Sequence, residues 1–275
     1  MKYIFENASE EREFRRLQLL EAANDSTSIA LLKETGIQRG WECLELGAGA
    51  GSILRWLGDR VGPKGLVVGV DKNTTYLQDF TSPPFQIQKN TFLEMSLPST
   101  FDLIHGRYIL IHNQTDMDIL HKIFTLLHPG GWAIFEEPDF TSTTLMNHVL
   151  EAPLIRVNLA ICKMFVNAGL DPAYALGLPR RLEQAGFYIE RTQSIMHLQP
   201  GNSPMAHVMA ESALVLEKEY CGTGLCSSDD IQHYCRLSQD PAHWAIYHAT
   251  TSVIVRKPST LPTKAEGSST QTTAE

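Results

Sequence analysis

Residues Glu45-Leu46-Gly47-Ala48-Gly49-Ala50-Gly51-Ser52 follow the apolar run Trp41-Glu42-Cys43-Leu44 and precede Ile53-Leu54-Arg55-Trp56-Leu57. The pattern reads as a strand, a glycine-rich turn and the start of a helix. Asp71 stands at the end of a second apolar run, Leu66-Val67-Val68-Gly69-Val70. Glycines allow a ligand to approach the backbone, a helix N-terminus offers free N–H groups, and an acid at the end of the second strand can take ribose hydroxyls. The chemistry of this stretch is therefore the binding of a nucleotide-like ligand.

The elements that position it follow from the rest of the chain. Ser9 is suited to cap a first helix, with Glu10 and Glu11 in its first turn, and a second helix is expected from about Ser26 to Thr35, ending at Gly36. Strands are expected at 41–46, 66–70, near 85–87, from Phe101 and at 132–136, with helices at 51–60 and 116–127 and a break at Pro129-Gly130-Gly131. This alternation predicts an α/β fold with a doubly wound, mostly parallel sheet of seven strands, two of them at about 187–198 and 244–255. Helices are expected at 153–168, 179–185 and 204–219, and from Ser228-Asp229. One domain over 1–257 results, with a helical cap at 1–36, helical insertions at 139–172 and 201–243, and a disordered tail at 258–275 rich in Pro, Ser, Thr and Gln.

Composition narrows the classes. A net charge of −8 supplies no general field for nucleic acid or an anionic membrane. No apolar run approaches the roughly 18 residues that span a bilayer, and the charged start of the chain is unlike a signal peptide, so a cytoplasmic protein is expected. The five cysteines read as reduced thiols. Cys221, Cys226, Cys235, His233 and His243 lie in one stretch without a Cys-x-x-Cys knuckle, and no metal site is expected.

The glycine spacing decides between ligands. A dinucleotide turn needs G-x-G-x-x-G, whereas here the glycines fall at 47, 49 and 51 and Ser52 takes the place of the third. Glu45 through Gly51 resembles motif I of class I S-adenosylmethionine-dependent methyltransferases. Val68-Gly69-Val70-Asp71 resembles their second motif, Asn90-Thr91-Phe92 with Leu97-Pro98 and Phe101-Asp102-Leu103-Ile104 the third, and Leu127-His128-Pro129-Gly130-Gly131-Trp132 the turn before strand 5. Four motifs in order cover residues 41–136. The departures are Asn90 and Glu45, where Asp is commoner, and His128 in the Pro-Gly-Gly turn.

The resemblance implies S-adenosylmethionine as cofactor, bound through Glu45, Gly47, Ala48, Gly49, Gly51, Asp71, Lys72, Asn90, Thr91, Phe92 and His105. Glu45 is expected to help position the ligand's ammonium group, Asp71 to hold ribose and Asn90 to meet the adenine amine. The implied reaction is in-line methyl transfer to O, N or C of a small-molecule acceptor. The alternatives are a cofactor-binding regulator without catalysis and a protein or RNA methyltransferase. Ser82-Pro83-Pro84-Phe85 matches the signature of amino-methylating enzymes, but it precedes strand 3 rather than following strand 4, so a plain loop is expected there.

The acceptor is expected beyond strands 4 and 5, beneath the N-terminal segment and the two insertions. A base is needed only where the acceptor loses a proton. His112 and Tyr108 are the leading candidates, with Glu137, His148 and His207 behind them, and Arg107 and Glu137 are candidates for binding the acceptor. Glu136, Glu137 and Asp139 could recognise a cationic amine or form a solvated rim. The Leu-, Met-, Val- and Ile-rich cover suits an apolar or amphipathic acceptor, nucleic acid is not expected, and the sequence leaves homodimerisation open.

Overall fold

Strands β1 (Glu42–Leu46), β2 (Leu66–Asp71) and β4 (Phe101–Arg107) are buried along nearly their whole length, as strands covered on both faces are, and the polar Glu45 and His105 are buried with their apolar neighbours. The computed structural model describes residues 9–259 apart from 93, 95, 96, 98, 99, 114, 115 and 148. Together with β3 (Phe85–Lys89), β5 (Leu127–Asp139), β6 (Tyr188–Pro200) and β7 (Trp244–Arg256), these strands form one seven-stranded sheet in the order β3-β2-β1-β4-β5-β7-β6. Pairing is parallel from β3 through β5, and β7 runs antiparallel to both β5 and β6. The expected doubly wound, mostly parallel sheet is the one observed.

Helices cover both faces. On one side α1 (Glu10–Glu34) and α2 (Ser52–Val61) close a core that includes Leu31, Leu32, Leu54, Leu57, Val67, Leu103 and Ile134. On the other side α3 (Asp116–Leu126) and α5 (Tyr174–Gln184) bury Ile119, Leu120, Leu178 and Leu182 in a core with Leu44, Ile104 and Phe135, which Leu154 and Val157 of α4 (Ala152–Asn167) extend beyond the sheet. The 201–243 region folds as α6 (Pro204–Val215), α7 (Glu217–Cys221) and α8 (Ser228–Leu237). Helix α4 packs on α7 and α8, and α6 packs on α1, so helices from both insertions and the N-terminus meet one another.

The elements differ from the sequence reading in four places. The N-terminal segment is one helix, not two. Asn24 turns its amide back to the Leu20 carbonyl (2.8 Å) and the Ser28 hydroxyl to the Asn24 carbonyl (3.3 Å), so these polar side chains bond along the helix and no new cap forms at Ser26. Ser9 does cap it, accepting from the Arg12 amide. Pro129-Gly130-Gly131 is a bulge inside β5 rather than a break, because the Gly130 N–H and Gly131 carbonyl both bond Lys257 (2.8 and 2.9 Å). Helix α5 begins at Tyr174, before Pro179, carried by the burial of Tyr174, Ala175 and Leu178. The apolar helix near 204–219 divides at Leu216 into α6 and α7. Tyr3, Phe5, His148, Pro98 and residues 260–275 of the expected tail lie outside the described residues.

Candidate cofactor and acceptor site

The glycine turn bridges β1 and α2 at the carboxyl end of the sheet. Gly47, Gly49 and Gly51 have φ of 65°, 57° and 95°, the left-handed region that side chains disfavour. A Cβ at Gly51 would lie 2.6 Å from the Phe80 ring, and one at Gly47 would strike Ile109. The turn is tied to β2 by the Gly47 and Ala48 amides, which donate to the Val70 carbonyl at 2.8 and 3.3 Å.

Asp71 completes the cradle. One oxygen of its carboxylate accepts the Gly49 N–H and the other the Asn73 N–H, each at 2.9 Å. Burial raises its pKa, against these amide bonds, which favour the charged form. The Asp71 carbonyl accepts the Asn90 N–H (3.0 Å), so the ends of β2 and β3 bring these two residues side by side. Asn90 Oδ1 accepts the Thr91 N–H at 2.8 Å, and Lys122 donates to the Phe92 carbonyl at 3.0 Å. Lys72 is exposed beside Asp71. A turn held open by three left-handed glycines, beside a carboxylate with acceptor capacity to spare, fits a ribose-bearing ligand.

Helix α1 lies across this turn. Leu17 reaches the space above Gly49. The Ser52 N–H, first in α2, donates to Glu21 at 3.0 Å, and the Ser52 hydroxyl donates to Asp25 at 3.1 Å. Asp25 also pairs with Arg107 (3.0 Å), whose other nitrogen donates to Ser28 (2.8 Å). The anion seat at the α2 N-terminus, where a dinucleotide would place its pyrophosphate, is filled by a carboxylate of the chain itself.

The interior side of the site is ionic. His105 is inaccessible to solvent, with Nδ1 donating to Glu45 (2.7 Å) and Nε2 to Glu136 (3.0 Å). Desolvation opposes its charge, but the two carboxylates win and lift its pKa to about 9. Glu136 is held low by the same contact, while burial raises Glu45. Both Glu45 and His105 thus sit inside the sheet layer, with their polar atoms turned to each other.

Tyr108, directly after β4, has φ 57° and a buried hydroxyl within 2.6 Å of Thr250, 3.0 Å of Asn24 and 3.1 Å of His248. Burial raises its pKa. His112 stacks on Phe165 and is pushed down to about 4 by burial, Arg16 and Lys72. Glu137 is fully buried and accepts the backbone N–H groups of Ile109, Leu110 and Ile111 (2.8–3.1 Å), so it shapes the segment after β4. Its pKa is raised to about 7 by burial. Asp139 accepts from both the amide and the hydroxyl of Thr141. The cluster Glu136, Glu137 and Asp139 is therefore buried and internally bonded, not a solvated rim. His207 bonds Asn202 on the first turn of α6. The cysteine stretch stays dispersed, with Cys235 buried against the Ala210 carbonyl, and no metal-holding cluster is found among the described residues.

Comparison with known proteins decides the family. Residues 10–192 match the methyltransferase-domain family. The chain belongs to the S-adenosylmethionine-dependent methyltransferase family. Methyltransferase str2 of Strobilurus tenacellus is 27% identical over 62% of this chain and 60% of its own length. Sterol 24-C-methyltransferase ERG6A of Gibberella zeae is 27% identical over 40% of this chain and 32% of its own. The chain thus spans less than two thirds of these relatives. Among solved structures, the cyclopropane synthase MmaA2 from Mycobacterium tuberculosis is alike in fold, with a TM-score of 0.58 at 17% identity over 91% of this chain and 95% of that one.

Within this methyltransferase domain, the glycine turn, Asp71 and Asn90 are brought together as expected from their order in sequence. Glu13, Arg16, Glu21 and Asp25 on α1, and His248 on β7, carried no motif. They reach the site only because α1 lies over the turn and β7 returns beside β5. The one local signal for α1 was its excess of polar residues over a face that nevertheless buries Glu13 and Arg16.

Proposed function

We propose that this protein transfers a methyl group to a small-molecule acceptor of apolar character. The observation that carries the reading is the glycine cradle with Asp71 and Asn90 beneath a cover of apolar helices. S-adenosylmethionine, when bound, supplies a methyl group on a positively charged sulfur for direct displacement by a nucleophile. The backbone at Gly47–Gly51 would receive the amino-acid part, Asp71 the ribose hydroxyls, and Asn90 with Phe92 the adenine. Alignment and exclusion of water supply most of the acceleration in such a transfer. The helices α4, α6, α7 and α8 serve that exclusion. Tyr108 orders the far wall through its three hydroxyl contacts. His112 is held neutral, its pKa pushed down to about 4 by burial, which makes it a weak base at physiological pH, so the reading rests on alignment rather than on proton removal by this imidazole. A relative named as a sterol methyltransferase agrees with an apolar small molecule as acceptor.

Two measurements test this. Calorimetry should detect binding of S-adenosylmethionine and of S-adenosylhomocysteine, and absence of both would refute the reading. Incubation with methyl-labelled cofactor and a metabolite extract should then label a small molecule. Label found instead in protein or RNA would favour a macromolecular acceptor, and no label at all a binding protein without catalysis.

A further inference from the structure

Two cysteines stand at the two ends of one turn. Cys221 is the last residue of α7, and Cys226 directly precedes Ser227, the N-cap of α8. The chain between them folds back on itself. The Tyr220 carbonyl accepts the Thr223 N–H at 3.1 Å, the Cys221 carbonyl accepts the Gly224 N–H at 3.0 Å, and Gly224 has φ 75°. This reversal returns Cys226 to the side of Cys221, and both residues rest half-buried against the same apolar core. The elements on either side are fixed. Helices α7 and α8 both pack on α4, and Arg156 of α4 donates through two nitrogens to Asp230 in the first turn of α8. The turn itself has room to adjust, since nothing lies within 4 Å of where a Cβ of Gly224 would stand.

The two thiols differ in access. Cys221 lines an open hollow of about 340 Å³ together with Leu214, Val215, Glu217, Lys218 and Ser228. Glu217 and Lys218 give this hollow charges of both signs, which suit a zwitterionic peptide thiol. The remaining cysteines are held as unreactive thiols. Burial raises the pKa of Cys43, pushes Cys162 and Cys235 up to about 11 and, with the neighbouring Cys221 thiol, pushes Cys226 up to about 12. Cys235 is turned away to the Ala210 carbonyl. The stretch gathers no metal-holding cluster among the described residues, but a disulfide needs only two thiols.

We propose that Cys221 and Cys226 are an oxidisable pair, in which Cys221 meets a small disulfide such as oxidised glutathione in the hollow and Cys226 closes the bond. The Cys221 sulfur, its proton released, attacks one sulfur of oxidised glutathione. That S–S bond breaks, and one glutathione leaves with the electron pair and takes up a proton. The Cys226 sulfur then gives up its proton and attacks Cys221 Sγ, expelling the second glutathione. Two electrons and two protons thus pass from the protein thiols to two glutathione thiols, and one S–S bond spans the turn. It staples the end of α7 to the start of α8 within the helical cover. The pair is independent of the methyl-transfer reading.

The test incubates the reduced full chain with oxidised glutathione, blocks the remaining thiols and maps the peptides without reduction. The parent protein should become lighter by two hydrogen atoms, with fragmentation placing the link between Cys221 and Cys226. Cys226→Ser should instead retain one glutathione on Cys221, and Cys221→Ser should take up none at Cys226. In the reduced parent, brief alkylation at neutral pH should label Cys221 about tenfold faster than Cys43, Cys162 or Cys235, as exposure and thiolate character dictate. The mapping and labelling of the parent need no variant to fold. A link that includes Cys162 or Cys235, glutathione placed first on any cysteine other than Cys221, or five cysteines that all stay reduced would overturn the inference.

Discussion

His105 Nδ1 lies 2.7 Å from Glu45 Oε2 in the interior of the sheet, joining the strand of the glycine turn to its neighbour β4. The folded state holds the imidazole charged up to about pH 9, whereas an unfolded chain releases that proton near pH 6.5. A raised pKa means stability that is complete below the unfolded value and lost as pH rises through the folded one. Thermal unfolding should therefore show a melting temperature that falls between about pH 6.5 and 9, by an amount on the order of 3 kcal/mol of stability. His105→Gln should remove the slope in that window. A melting temperature equally flat in both proteins would contradict the assignment.

Glu137 governs a lower window. Its carboxyl titrates at about 7 in the folded protein and near 4.3 when unfolded, so the charged form is favoured less in the fold and stability declines as pH rises between these values. Glu137→Gln replaces one of two accepting oxygens with a donor, facing three backbone N–H groups. The variant should lose about 1–3 kcal/mol, the cost of leaving a buried donor unmatched. Chemical denaturation at pH 8 measures it, and a variant as stable as the parent would show that the segment after β4 holds itself.

Removal of Asp25 should cost more than removal of Glu21. Glu21→Ala takes the acceptor from the α2 N-terminus and should destabilise by about 0.5–2 kcal/mol, the range for a lost cap. Asp25→Ala also strands Arg107, whose side chain is only 9% exposed. Breaking such a buried pair costs about 3–5 kcal/mol when nothing replaces it, and Ser28 and the nearby Glu136 carboxylate remain as partial substitutes that bring the cost toward the lower end. Denaturation of the two variants side by side should give that order. The reverse order would mean that α1 is held mainly by its apolar face.

Asp71→Ala and Gly51→Ala separate ligand binding from the shape of the turn. Asp71→Ala should weaken S-adenosylmethionine binding by about 1.5–3 kcal/mol, as expected for lost bonds to a charged acceptor. It should also loosen the turn, since Gly49 and Asn73 lose their acceptor. Gly51→Ala puts a Cβ into the Phe80 ring at a φ of 95° and should destabilise by about 1–3 kcal/mol before any ligand is added. Calorimetry combined with denaturation distinguishes the two. Unchanged affinity in Asp71→Ala would place the ribose elsewhere.

The local sequence was enough for the glycine turn and the strands around it. Short apolar runs such as Leu66–Val70 marked the central strands, because a strand covered on both faces is mostly apolar, and the polar Glu45 and His105 in β1 and β4 are the exceptions that pair with each other. Glycines at 47, 49 and 51, with Asp71 at the next strand's end, determined the cradle, because residues on adjacent parallel strand ends are neighbours whatever else the fold does. Tertiary structure decided what the side chains near the cradle are used for. Glu45, His105 and Glu137 have the types expected of a site, yet their partners come from other strands or from the following loop and engage both nitrogens of His105, both oxygens of Glu137 and one oxygen of Glu45. Nor could local pattern place Glu21 on Ser52, 31 residues away, or His248 beside Tyr108, 140 residues away, since such contacts depend on how α1 and β7 dock. The contacts of His112 with Phe165 and of Tyr108 with His248 are of the same kind, since packing alone brings these rings together from distant parts of the chain.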